Sequence, residues 1–490
     1  MPTALEQAVH AAGQDTAVLR QWVDTFGQAA TDTSDPALLS WASRLQNAVA
    51  DDQPALTALA ALLHHGHLST TAQAWAHTYR GRRLSLNDRD EEALAELDRA
   101  VTADPHNARA WSYRGDVHRW LDQIDRALSD LTAALDLAPQ DAWALARRGE
   151  AHRRAGRYDE AITDLTAALN LDPQDAWTLA SRGTAHQQAG RYSEAITDLT
   201  AALNLDPQDA WTLASRGTAH RQAGRYDEAI TDLTAALNLD PTLAWALASR
   251  GEARREAGRY DQAITDFTAA LNLGPQDAWT LASRGQAHQQ AGRYDEAITD
   301  FSAALNLDPT LAWVLSHRGL AHRQAGRYDQ AITDFTAALD LSQNAWTFAS
   351  RGVAHRQAGD YRLAQEDLDR AVASEPDDRG LLFEKTMLDT VRSGPEACLE
   401  LWRDLLSSPA ETSLGDATRF FDLFRVLILE PETDVTRATE VFLSRDPDPD
   451  AVTDLLHYLA ELSTMEGAMG DRARQCQQLI TQHASERGVS

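Results

Sequence analysis

Glycine recurs in this chain at a fixed interval. Gly81, Gly115, Gly149, Gly183, Gly217, Gly251, Gly285 and Gly319 are each 34 residues apart, and Gly352 follows after 33. Proline keeps the same beat at Pro105, Pro139, Pro173, Pro207, Pro241, Pro275 and Pro309, and again at Pro376. A period of this length means one supersecondary unit stacked on copies of itself. Such a unit cannot bury its apolar face alone, so its neighbours must cover it. The 490 residues are therefore not three ordinary domains, although at about 150 residues per domain length alone suggests that number.

One unit shows the physics. Asp141 to Gly156 reads DAWALARRGEAHRRAG, and Arg157 to Pro173 reads RYDEAITDLTAALNLDP. In the second half Tyr158, Ala161, Ile162, Leu165, Ala168 and Leu169 fall on one helical face. In the first half Leu145, Gly149 and His152 share a face. The Ala-Gly pair stops the first helix, Asp172-Pro173 ends the second, and Asp175 is placed to cap the next. The units Asp175–Gln208 and Asp209–Thr242 differ at three positions only, which marks duplication of one sequence.

Gly149, Ala161, Leu165, Ala168 and Pro173 sit at the spacing of the tetratricopeptide repeat (TPR), and the array resembles that family over nine units, about Ala74 to Glu375. The resemblance implies an all-α, right-handed TPR solenoid whose first helices line a concave groove. The chain departs from the family pattern in three ways. The tryptophan stands two positions early, with Leu145 in its usual place; arginine precedes the repeat glycine; histidine stands where tyrosine is usual. We expect an N-terminal helical cap over 1–73, nine repeats over 74–376, and a C-terminal helical region over 377–490. That last region includes a degenerate tenth unit near Asp377–Ser408, and its Phe420 and Phe424 read as exposed.

Acidic residues number 73 against 45 basic, a formal charge of -28. Phosphate backbones and anionic lipid should repel such a chain, so neither nucleic acid nor membrane is an expected partner. Cys398 and Cys476 are the only cysteines, too few for a disulfide framework or a four-cysteine zinc site. The start of the chain reads as no secretion signal and no apolar run spans a membrane, so a cytoplasmic location is the default expectation. No phosphate loop, nucleophile elbow or zinc-protease motif occurs, and no cofactor or catalytic residue is expected. His64, His65 and His67 form a cluster that reads as a solvated loop, not a metal site.

Three ladders climb the repeats. Histidine recurs from His118 to His355, broken by Arg254, and reads as packing. An arginine before each repeat glycine, from Arg80 to Arg351, is followed 16 residues later by an acid, from Glu96 to Asp367. These read as ion pairs between the two helices of a repeat. By resemblance, the third ladder faces the groove. It comprises Trp143, Trp177, Trp211, Trp245, Trp279, Trp313 and Trp346, with Arg153, Arg221, Arg255, Arg323 and Arg356 further along the same face. Arginine outnumbers acid on those later positions by eight to four, and glutamines such as Gln188 and Gln222 complete the stripe. A wall of tryptophan, arginine and amide suits an extended peptide; in the alternative reading the tryptophans pack between neighbouring repeats and the arginines are solvated.

The expected function is a non-catalytic interaction scaffold that binds a net acidic peptide or protein segment, with self-association compatible. The alternative is a peptide-sensing regulator or adaptor for a separate effector enzyme. An enzyme within 377–490 is the weakest reading, since no nucleophile–base pair is evident there. The carboxylate-clamp form of TPR is not supported, because alanines at Ala146 and Ala180 stand where its polar groups belong.

Overall fold

A computed structural model describes residues 63, 70–274, 277–394, 396–407, 423–430, 433–444, 449–465 and 468–486. Nearly all of the expected N-terminal cap lies outside the described residues, as do its three clustered histidines and Phe420. Among the described residues all regular structure is helical. The chain falls into two compact units that divide at Arg225.

The first unit carries four helix pairs, from Thr70–Ser85 with Asp90–Ala103 to Ala176–Gln188 with Tyr192–Leu205, and then the helix Ala210–Gln222. The second opens on Tyr226–Leu239 and carries four more pairs, from Ala244–Glu256 with Tyr260–Leu273 to Ala345–Gln357 with Tyr361–Ser374. It continues through Arg379–Ser393, a 3-10 turn at Glu396–Cys398, Leu399–Ser407, Val435–Leu443, Pro449–Ser463 and Ala468–Glu486.

Local chemistry sets each boundary. Asp141 accepts from the backbone N–H of Trp143 at 3.1 Å and of Ala144 at 3.2 Å, so the first helix starts there. It stops where Gly156 takes φ +73° and the Arg157 N–H returns to the His152 carbonyl at 2.9 Å. The second repeat has no glycine at this turn, and Asp122 takes the left-handed conformation with φ +57°. The repeat glycine serves a different end. A Cβ on Gly149 would lie 2.7 Å from Leu165 Cγ, so only glycine lets the two helices of the repeat close on each other. Phe267, Phe301 and Phe335 replace that leucine in three repeats of the second unit and are fully buried.

The arginine–acid ladder forms as expected, with four rungs in each unit. In Arg114, Arg148 and Arg182, Nε donates to Oδ2 of Asp130, Asp164 and Asp198 at 2.7 Å, while Nη2 reaches the other oxygen. Arg250, Arg284, Arg318 and Arg351 repeat this geometry on Asp266, Asp300, Asp334 and Asp367. The third nitrogen crosses to the preceding repeat: Arg182 donates to Thr166 at 3.2 Å and Arg284 to Thr268 at 3.1 Å. A planar guanidinium with donors on three sides can hold three helices at once, which lysine cannot do. Arg216 stands in one unit and Asp232 in the other.

The histidine ladder packs beside these rungs. Nε2 of His152, His186, His288 and His322 lies 3.8–3.9 Å from the same carboxylates, and burial holds each imidazole below its ordinary pKa. Arg254 replaces the histidine in one repeat and joins Asp266 at 2.6 Å.

The C-terminal helices have a core of their own, built around Trp402, Phe383, Phe424 and Tyr458. Phe424 is fully buried there, which corrects the expectation of exposure. Its ring stacks with Trp402 at 6.1 Å and meets the edge of Phe383 at 5.0 Å. Both cysteines are buried in this core as free thiols, and burial raises both pKa values.

Candidate peptide-binding face

Within each unit the first helices of successive repeats touch one another and form a continuous row. The tryptophans stand near their N-terminal ends. Trp177, Trp211, Trp245, Trp279 and Trp346 are 39–61% exposed, so these rings rise from the face and are not core residues. Trp143 and Trp313 are half-buried. Some also lean on their neighbours: Trp143 meets Tyr113 edge-on at 5.3 Å, and Trp279 meets Trp313 at 5.1 Å. These rings are thus both exposed on the face and, in part, in contact between neighbouring repeats.

In the first unit Trp177 and Trp211 wall a cavity of about 520 Å³. Ala180 and Thr184 line it as well, with Glu150 and Arg153 at one side. The small alanine keeps the space between the two indoles open.

The arginines of the face are largely occupied by the protein itself. Arg153 grips Glu150 through two bonds of 2.7 and 2.8 Å and donates to Gln188 at 2.9 Å. Burial raises the Glu150 pKa, but the hydrogen bond and charge of Arg153 outweigh it and keep the carboxyl ionised. Arg255 likewise holds Glu252 at 2.7 Å and reaches Gln290 at 3.4 Å. Gln187 donates to Gln222 at 2.9 Å, and Gln289 to Gln324 at 2.7 Å. At these places the amide stripe links one repeat to the next. Arg221 is half-buried and Arg323 is 8% exposed. Arg356 is closed off completely: its side chain is 0% exposed and lies between Glu384, at 3.1 Å, and Glu461 of the helix Pro449–Ser463. Counting charges along the sequence therefore overstates what this face offers to a ligand.

Sequence reasoning passed over one position, two residues before the repeat glycine. Serine fills it at Ser181, Ser215, Ser249, Ser283 and Ser350. The exceptions are Tyr79, Tyr113, Arg147 and His317. Arg147 lies over the Trp177 ring at 4.0 Å and the Trp143 ring at 5.2 Å. His317 sits among Trp313 at 5.9 Å, Trp346 at 6.0 Å and Phe301 at 6.1 Å, and burial pushes its pKa down to about 4. Departure from the repeat's own consensus was the signal that could have found them.

Among the described residues no group of His, Cys, Asp and Glu is arranged to hold a metal, and no helix is long and apolar enough to cross a membrane. No curated protein matches the chain. Similar solved structures include the APC/C hetero-tetramer Cut9-Hcn1, at 16% identity, covering 86% of this chain and 99% of that one, with a TM-score of 0.42. A tetratricopeptide repeat protein from Parabacteroides merdae ATCC 43184 is 17% identical and covers 51% of this chain and 98% of its own, also at 0.42. YrrB, described as a TPR protein with an unusual peptide-binding site, is 20% identical, covering 38% of this chain and 95% of its own at 0.32. Family models described as tetratricopeptide or TPR repeats match residues 149–190, 178–209, 217–254, 251–292, 276–344 and 350–385. Those matches fall on the helix pairs and repeat glycines described above, and the chain belongs to the tetratricopeptide repeat family.

Proposed function

We propose that this protein is a non-catalytic scaffold that binds an extended or helical peptide segment, net acidic, along its first-helix face. The observation that carries the reading is the row of half-exposed tryptophans set above small residues and flanked by arginine and glutamine. Indole rings offer large contact area at little conformational cost, and amides can pair with a peptide backbone. TPR repeats support the interaction role in its general form. The acidic preference rests on the arginine side chains that stay partly exposed on this face, Arg82 and Arg147 among them.

The test is a partner recovered from the source cell, mapped to a short segment, and titrated against Trp177→Ala with Trp211→Ala. Loss of binding by about two orders of magnitude, with the helical content unchanged, is the expected result for two central aromatic anchors. Unchanged affinity in that variant would move the binding surface off the first helices.

A further inference from the structure

Asp116 is 2% exposed and stands alone among arginines. It accepts from Arg119 at 2.6 and 2.9 Å. Arg82 lies 3.5 Å from it and Arg147 3.8 Å. One carboxylate thus faces three guanidiniums. The next acid on the face, Glu150, is already taken by Arg153 and Arg154, so it supplies no spare charge. Asp175 also acts on Arg147 through its charge, and its Oδ2 is bonded by the Thr178 hydroxyl at the start of its helix.

Arg147 is the least compensated of these cations. It makes no hydrogen bond within the described protein, and its Nε is buried without an acceptor. Burial, together with the charges of Arg119 and Arg82, lowers its pKa. What it has is aromatic company: Trp177 and Trp143. Arg82 lies over Tyr113 at 5.1 Å and over the same Trp143 at 5.5 Å. A ring face offsets part of a cation's desolvation but supplies no counter-charge. Both side chains remain partly open to solvent, 27% and 20% exposed. Folding alone gives no reason for this arrangement, since serine serves at the Arg147 position in five other repeats.

We propose that Arg82 and Arg147, set among Tyr113, Trp143 and Trp177, form an anchor for a carboxylate of the bound peptide, with the rings covering the apolar side chain beside it. The anchor rests on the scaffold reading above and places the ligand's negative charge in the first three repeats. Its guanidiniums accept the carboxylate as the second counter-ion that Asp116 alone does not provide.

The test uses the full chain and two capped peptides that differ only in Glu or Gln on either side of one Phe, followed by tryptophan fluorescence. The Glu peptide should bind about tenfold tighter than the Gln peptide, as one charge-assisted pair contributes. That preference should vanish in Arg147→Met and in Arg82→Gln. Arg147→Met should also unfold at a temperature no lower than the wild type, since it removes an under-compensated cation and keeps the ring contact. Equal binding of the two peptides, or no binding of either at millimolar concentration, overturns the anchor. So does an Arg147→Met chain that is destabilised yet keeps the preference, which would make Arg147 a structural staple. A phosphoserine version that outbinds the Glu peptide by about a hundredfold would replace carboxylate by phosphate as the anion recognised. If a mapped native partner is lost on replacing Trp177 and Trp211 but is held normally by Arg147→Met, the anchor fails while the scaffold reading stands.

Discussion

The first-helix faces of the two units share one backbone plan and differ in what stands between the indoles. In the first, Arg147 lies between Trp143 and Trp177, beside a carboxylate already shared by other arginines. In the second, His317 occupies the corresponding place between Trp313 and Trp346, and burial keeps it neutral. The surrounding ladder of arginine and aspartate is the same in both. The scaffold is thus held by residues that repeat, and the character of each stretch is set by the few that do not.

The largest effect should appear on acidification. The His317 pKa of about 4 lies below the ordinary 6.5, so the folded state binds fewer protons than the unfolded one between those values. Its contribution is complete above pH 6.5 and is lost as pH falls toward 4, by about 3 kcal/mol at the lower limit. Denaturant unfolding at pH 7 and pH 4.5 should show a smaller loss in His317→Ser than in the wild type. The ladder histidines carry the same sign and remain in the variant. An identical loss in both chains would mean that His317 is already protonated in the fold. Arg147 does not titrate in this range, and Arg147→Ser should leave the pH dependence as it is.

Breaking a rung tests what the two faces share. Asp198→Asn leaves Arg182 half-paired at a site where the arginine side chain is 22% exposed. We expect a loss of about 2–3 kcal/mol, somewhat under the cost of breaking a fully buried pair. Asp334→Asn in the second unit should cost a similar amount. A large difference between them would show that the faces are not held alike.

A transplant should sharpen the contrast. His317→Arg places a guanidinium between two indoles in the second unit, and should give that unit a preference of about tenfold, or 1.4 kcal/mol, for Glu over Gln peptides. Fluorescence titration at two salt concentrations would report it, with the preference shrinking as salt rises. Absence of any gain would mean that the aromatic pair is not sufficient and that the arginines around Asp116 are needed too.

The smallest effect concerns a turn. Asp122 holds φ +57°, where later repeats have glycine. Asp122→Gly should stabilise the chain by about 0.5–1 kcal/mol, read as a rise in thermal midpoint.

Much of the fold was legible because its constraints recur. The repeat glycine, the Asp cap and the arginine–acid spacing each announced a contact that the structure contains at 2.7 Å or by a closed helix pair. The face was legible in outline only. Spacing located the tryptophans, but it could not tell that Arg153 belongs to Glu150, because a side chain's partner three residues away on a helix looks the same in sequence as an open charge. Nor could it foresee Arg356, whose partners Glu384 and Glu461 come from a region with no repeat to give register. Phe424 failed for the same reason: an amphipathic pattern says that one side is apolar, not what covers it.

The third nitrogen of each ladder arginine has a consequence for how such a protein changes over generations. Arg182 gives its spare donor to Thr166 of the repeat before, and Thr200 of its own repeat receives Arg216 of the repeat after. From Arg148 to Arg351 each repeat therefore has the same arginine plug on one side and a hydroxyl socket, threonine or in one case Ser302, on the other. Excising one, or copying it, joins a plug to an equivalent socket and leaves no orphaned group at the seam. The two neighbouring units that differ at three positions look like the trace of such an event. Array length is then a trait that recombination can adjust in whole steps, while Arg114, whose spare donor goes to Asp98 at 2.8 Å, marks a junction that is not interchangeable with the rest.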